Sequence, residues 1–172
     1  LYKGDISALC KVHEAHPDRN IYFTEQSGGG WAPDFDQNVR WYVGELIVGA
    51  MNCWSKNVLL WNLALDENNG PKNSGCQDCY GVMEINKSGE IRRHGEYYAL
   101  AHYGKYIHSG AKRLVSSGDA VKGAAFRNPD GTLIYLGVYY GQTEKEVRFE
   151  AGNKSFTYQF KPGEVVTFRW KE

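Results

Sequence analysis

Three things are missing from this sequence, and each absence narrows what the chain can be. No apolar run approaches the roughly 18 to 20 residues that a membrane-spanning helix needs, and Leu1 opens directly into folded-looking sequence without a signal peptide. A transmembrane segment is therefore not expected. Neither charge is in surplus: 20 basic residues balance 20 acidic ones and the sequence pI is near 7.1. A binder of nucleic acid or of an anionic membrane carries a basic footprint, so polyanions are not expected partners. Repeats at solenoid or propeller period and low-complexity tracts are also lacking. What is present suffices for a packed core, since 42% of the 172 residues are hydrophobic. Aromatics reach 14%, with five Trp and twelve Tyr, which suits sugar-stacking platforms and is equally explained by core and sheet packing. A start on Leu rather than Met suggests a chain excised from something longer.

The two ends of the chain carry different periodicities. Asp5 to His16 has Ile6, Leu9, Cys10 and His13 at helical spacing, and Pro17 stops it. Asn20 to Thr24 is short and apolar-aromatic, as expected of a strand buried on both faces of a parallel sheet. Asp36 then begins a helical run through Val39, Tyr42, Val43, Leu46, Ile47, Ala50 and Met51, of about four turns. Val58 to Leu65 reads as a second apolar strand. Two parallel strands cannot form a stable sheet alone, so a barrel reading of this part requires partners missing from the chain. From Gly81 onward the period is two. Gly81 to Asn86 and Glu90 to Arg93 flank Lys87-Ser-Gly89, a hairpin signal. A helix is expected from Glu96 to Ile107, followed by short strands with turn chemistry between them, the pattern of an antiparallel sandwich.

The residue with most chemical interest is Glu25, delivered by the first strand into Gln26-Ser-Gly-Gly-Gly30. Side chains at the C-terminal ends of barrel strands project into the mouth where chemistry occurs. A retaining glycosidase needs one carboxylate as nucleophile and a second carboxylic acid as proton donor, roughly 5 to 5.5 Å apart. Loop amides after the strand could support an ionised nucleophile. On periodicity alone, a strand-end Glu paired with a surface Lys or Arg explains the position as well.

Tyr22-Phe-Thr-Glu25-Gln-Ser-Gly28, followed by Leu60-Trp-Asn-Leu-Ala-Leu-Asp66 and Asn69-Gly-Pro71, resembles glycoside hydrolase family 30, the family of glucosylceramidase and endo-β-1,6-glucanases. The resemblance continues through Gly75-Cys-Gln-Asp-Cys-Tyr-Gly81 and Tyr97 to Ile107, and so covers nearly the whole chain. It implies an α/β plus all-β fold: the last βα units of a (β/α)8 TIM barrel, strands seven and eight, followed by an antiparallel β-sandwich side domain. Residues 1–80 would be the end of the catalytic barrel, 81–110 a hairpin and the last barrel helix, and 111–172 the side domain. Glu25 matches the family's nucleophile and Trp61 its glycone-pocket tryptophan. Trp31 reads as a sugar platform or as a lid packed on the barrel rim, and Gln26 and Asn62 as substrate contacts to sugar hydroxyls or as braces of their loops. The family's acid/base lies in an Asn-Glu-Pro segment, which does not occur here. The chain then looks like the C-terminal part of a retaining β-glycosidase that takes a β-linked glucoside, glucan or glycolipid, inactive without its N-terminal barrel portion. The rival reading is a noncatalytic carbohydrate-binding or scaffolding sandwich. The two-carboxylate mechanism implies neither metal nor organic cofactor.

Cys76-Gln-Asp-Cys79 could be a redox motif, half of a zinc site or a small disulfide. It sits in a loop rather than at a strand-to-helix turn, and no paired second half is present for zinc, so a disulfide pinning the loop is expected. That would fit a secreted or periplasmic protein, or a lysosomal or extracellular one in a eukaryote. Cys10 and Cys53 read as buried thiols. Trp54 reads as core, and the five histidines as surface, capping or packing residues. Asn86-Lys-Ser88 and Asn153-Lys-Ser155 are glycosylation sequons that matter only in a eukaryotic secretory host.

Overall fold

The computed structural model of the protein describes residues 4–171. Helix α1 (Ala8–Ala15) leads to strand β1 (Ile21–Phe23), which pairs in parallel with β3 (Ser55–Val58), Ile21 opposite Ser55 and Phe23 opposite Val58. Between them, β2 (Gly28–Gly29) precedes a continuous helical stretch: α2 (Phe35–Trp41), a π-helical segment (Tyr42–Val48) and α3 (Gly49–Asn52). The stretch starts where Asp34 accepts a hydrogen bond from the Gln37 amide at 2.8 Å, satisfying one of the unpaired donors of the first turn. The apolar spacing read from the sequence thus gives one helix, but its middle winds wider than an α-helix.

Two corrections concern the first strands. The apolar run from Val58 to Leu65 is not one strand: β3 ends at Val58, the chain turns through Trp61, and only β4 (Ala64–Leu65) is extended again, paired in parallel with β6 (Met83–Ile85). Nor is β1 buried on both faces, because Tyr22 is 56% exposed and Leu63, beyond β3, is 70% exposed. An apolar sequence makes burial possible but cannot supply the layer that covers it. β6 also pairs antiparallel with β7 (Ile91–Arg93) across the hairpin, where Gly89 adopts φ +82° and the Asn86 side chain accepts from the Ser88 and Glu90 amides. β5 (Cys79–Tyr80) pairs with β2.

After α4 (Gly95–Gly104) the chain forms a four-stranded antiparallel sheet of order β13-β10-β9-β8, from β8 (Lys112–Leu114), β9 (Lys122–Arg127), β10 (Thr132–Val138) and β13 (Val165–Lys171). A separate hairpin, β11 (Lys145–Ala151) with β12 (Lys154–Phe160), supplies the second layer. The period of two on β10 decides what each face does. Ile134, Leu136 and Val138 join Val43, Leu46, Ile47 and Ala50 of the long helical stretch in one core, while Tyr135 faces the cluster around Phe160, Phe149 and Phe168. Each fully buried Val, Leu or Ile contributes about 1.5–3 kcal/mol. The main core therefore joins the first third of the chain to the last.

Cys10 and Cys53 are not free thiols. They form a disulfide that ties α1 to the end of α3, with Cα atoms 4.4 Å apart. The two positions are 43 residues apart in sequence, so only the fold brings them together. A second disulfide joins Cys76 and Cys79. Trp54 is not core either. It is half-exposed at φ +69°, sandwiched between the His13 ring, 4.3 Å away, and the Arg113 guanidinium, 4.6 Å from its centroid.

Candidate active site

Glu25 lies in the loop just past β1, with its side chain exposed. The loop that follows it is fixed at successive positions. The Gln26 carbonyl accepts the Trp61 amide at 2.8 Å, Ser27 forms a β-bridge with Trp61, Gly28 and Gly29 pair with Tyr80 and Cys79, and the Gly30 amide donates to the Asp78 carbonyl at 2.9 Å. Cys79 Sγ approaches Ser27 Oγ at 3.7 Å. The segment after β3 and the disulfide loop thus hold the Glu25 loop from two sides.

The three glycines are present for space, not for conformation, since none adopts a left-handed φ. A Cβ at Gly28 would collide with Glu96 Oε1 and the Tyr80 ring, one at Gly29 with the Trp31 ring, and one at Gly30 with Asp78 Oδ1. Behind Gly28 sits a polar group of three, with Asn38 and Glu96 buried and Tyr80 half-buried. Asn38 Nδ2 donates to Glu96 Oε1 at 2.8 Å and to the Tyr80 hydroxyl at 3.4 Å. Burial and the neighbouring Glu96 carboxylate push the Tyr80 hydroxyl up to about 12. The Tyr80 ring stacks on His94 at 4.3 Å, and burial lowers His94 below its ordinary value.

The other residues singled out from the sequence fall in two groups. Glu25 and Gln26 line a cleft of about 570 Å³ together with Phe23, Trp41 and Glu45. Gln26 and Trp31 line a second cleft of about 480 Å³ with Asp34, Gln37, Asn38 and Trp41. Trp31 is 55% exposed and offers a ring face. Trp61, 37% exposed, and Asn62 line neither cleft but join the Glu25 loop through the backbone; the Trp61–Asn62 peptide is cis. Asn62 Oδ1 is buried without a hydrogen-bond partner among the described residues. Cys76 and Cys79 hold the loop carrying Asp78. Sequence reasoning missed Trp41, which lines both clefts, and Glu96; the only signal for Trp41 was its place outside the apolar stripe of the helix. In the loop beyond β4, Asp66 takes the Asn68 and Gly70 amides on Oδ1 at 2.8 and 2.7 Å, and these bonds lower its carboxyl. Among the described residues, no group of three or more His, Cys, Asp or Glu is arranged to hold a metal ion, and no helix is long and apolar enough to cross a membrane.

No family model matches the chain. An endo-1,6-beta-D-glucanase of Neurospora crassa is 27% identical over 175 residues, covering 94% of this chain and 33% of that protein. "Putative glucosylceramidase 2" of Caenorhabditis elegans is 30% identical over 137 residues, covering 74% of this chain and 26% of its own length. Among solved structures, the endo-β-1,6-glucanase BT3312 superposes with a TM-score of 0.89 at 33% identity, over 99% of this chain and 39% of that one. A GH30 endoxylanase from Clostridium papyrosolvens shares the fold at a TM-score of 0.71 and 16% identity, over 100% of this chain and 47% of that one. The architecture is thus shared with solved enzymes of glycoside hydrolase family 30. The chain belongs to glycoside hydrolase family 30. It spans 33% and 26% of the length of the two curated relatives.

Proposed function

We propose that the chain is the C-terminal part of a retaining β-glycosidase, with Glu25 as nucleophile. The observation that carries this is the placement of Glu25: it follows the C-terminal end of a strand whose parallel neighbour continues into Trp61, and its loop is fixed by backbone hydrogen bonds to that neighbour and to the disulfide loop. On this reading β1 and β3 are the last two strands of a (β/α)8 barrel, residues 1–80 end the barrel, 81–110 form the hairpin and last helix, and 111–172 form a sandwich side domain. A Glu25 carboxylate oxygen bonds to the anomeric carbon as the glycosidic C–O bond breaks, and the leaving oxygen takes a proton from an acid supplied by the N-terminal portion. Water, activated by that same residue, then releases the sugar with its configuration retained. Trp61 and Trp31 would pack on pyranose faces, with Gln26 and Asn62 on hydroxyls. The substrate class is a β-linked glucoside, glucan or glycolipid. Two disulfides fit a secreted, periplasmic or lysosomal setting.

Glu25→Gln in the complete protein tests the reading. Turnover of an aryl β-glucoside should fall on the order of 10³-fold or more with binding retained, and the wild type should release product of retained configuration. Unchanged turnover would favour a noncatalytic sandwich instead. The 172 residues alone should not hydrolyse the same substrate at enzyme rates, because general acid catalysis supplies about 10²- to 10⁴-fold and its donor lies elsewhere.

A further inference from the structure

The chain spans 33% and 26% of the length of its two curated relatives, so a longer protein can cover its exposed surfaces. A buried group is different, because it is already enclosed by this chain's own residues. Glu96 is such a group. It is 1% exposed, at the first turn of α4, and nothing in the chemistry proposed above uses it.

Its surroundings point back to the Glu25 loop. Oε1 takes the Asn38 amide at 2.8 Å, while Oε2 has no hydrogen-bonding partner among the described residues. The carboxylate lies so close to the Gly28 backbone that any side chain there would strike Oε1, and Tyr80, paired with Gly28, encloses it further. A buried carboxylate held only by Asn38 and the Tyr80 hydroxyl costs stability unless something is gained by it. An apolar side chain of similar size would fill the same space without that cost. What it would not do is fix the Asn38 amide, and through Asn38 and Tyr80 the register of Gly28, three residues beyond Glu25.

We infer that Glu96 is a positioning residue: with Asn38 and Tyr80 it sets the height of the Gly28–Gly29 backbone and thereby the placement of the Glu25 carboxylate against the anomeric carbon. This rests on the reading of Glu25 as nucleophile. A displacement of a reacting atom by about 1 Å costs on the order of 10²-fold in rate even when the mutated site is remote from the chemistry. Substrate affinity is set by other contacts, so the loss should fall on the bond-forming step.

The test uses the complete enzyme and an activated 2-deoxy-2-fluoro β-glucoside with a dinitrophenolate leaving group, which labels the nucleophile without needing a proton donor. The labelling rate at Glu25, located by peptide mass, is compared for wild type, Glu96→Ala, Glu96→Gln and Gly28→Ala, alongside kcat, KM and Tm. Labelling and kcat should fall at least tenfold in Glu96→Ala and Gly28→Ala while KM stays within twofold. Glu96→Gln, which can still accept from Asn38, should recover most of the rate. A Glu96→Ala enzyme that labels within twofold of wild type overturns the inference, whatever its Tm. If the alanine variants fail to fold, Tyr80→Phe carries the test: it removes one oxygen and leaves the ring stacked on His94. A labelling rate there within 1.5-fold of wild type likewise overturns it, and a slower rate with KM unchanged supports it. A wild-type enzyme labelled at a residue other than Glu25 sinks the nucleophile assignment itself, an outcome distinct from failure of the Glu96 variants alone.

Discussion

Replacing Cys10 and Cys53 together by alanine should cost this protein about 4 kcal/mol of stability. The bond joins positions 43 residues apart, and in the chain-entropy treatment closing a loop of that length removes about 13 cal/mol/K from the unfolded ensemble, or about 4 kcal/mol at 25 °C. The native side of the balance points the same way. No residue within α1 is fully buried, and only flanking or partly buried apolar groups such as Ile6 and Leu9 pack on the core, so the disulfide is the principal tether of that helix. For a protein of this size 1 kcal/mol moves Tm by about 2–4 °C, which places the double variant about 10 °C below wild type. Thermal unfolding by circular dichroism without reductant measures the shift, and the wild type in excess reductant should approach the variant. The pair Cys76→Ala and Cys79→Ala is the internal control. Its bond spans three positions, so the same treatment gives about half the effect. A shift below 2 °C for the Cys10–Cys53 pair would refute the reasoning, because the tether would then be redundant with packing.

His102 gives a pH prediction. Burial holds its pKa below the ordinary 6.5, and Nδ1 lies 2.9 Å from Thr167 Oγ1, whose own hydrogen goes to the His102 carbonyl. The unfolded chain therefore binds more protons below about pH 6.5, so this contribution is fully present above that pH and is lost as pH falls toward the lowered folded value. Urea midpoints measured from pH 7.5 to 5 should decline for wild type and decline less for His102→Gln; equal slopes would exclude the residue as a cause. Phe160 is fully buried between the hairpin and the sheet, with ring centroids 5.0–6.4 Å from Tyr158, Tyr139, Phe149 and Phe168. Phe160→Ala should cost about 3–5 kcal/mol, read from the same urea midpoints.

How much of this was legible depended on whether the signal was local. The hairpin turn was, because glycine takes a left-handed φ without strain: Gly89 shows it at the expected joint, and Gly131, Gly152 and Gly163 show it between the later strands. The alternation on β10 and the stripe of the long helix were legible for the same reason, as periodicity is a property of consecutive residues. The break after Val58 was not, since an apolar run looks alike whether the chain runs straight or turns. The pairing of Cys10 with Cys53 was invisible because one lies in the first helix and the other at the end of a later one. Gly28-Gly-Gly30 misled in a different way. A glycine run suggests amides free to support a carboxylate, yet here the Gly30 amide serves Asp78 and the missing side chains make room for Glu96, Trp31 and Asp78. Glu96 itself carried no local signal, its burial being a consequence of packing among three distant segments.

The contacts that fix the Glu25 loop and the apolar surface beside it answer different needs. Every group that holds residues 26–30 in the hydrogen bonds and close approaches described above comes from this chain: Trp61, Asp78, Cys79, Tyr80 and Glu96. By contrast, Tyr22, Leu59 and Leu63 are exposed beside a parallel sheet of only two strands, an arrangement whose edges and open face call for cover. A two-stranded parallel sheet contributes little by itself. β1 and β3 are instead held by the helical stretch packed between them and the four-stranded sheet, and by the Cys10–Cys53 tether at its end. On the reading of Glu25 as nucleophile, the contacts within this chain position its loop, and the exposed apolar face is the surface that a further barrel segment would cover. On that division, loosening the internal contacts should slow the bond-forming step, while loosening the cover should weaken assembly and substrate binding together.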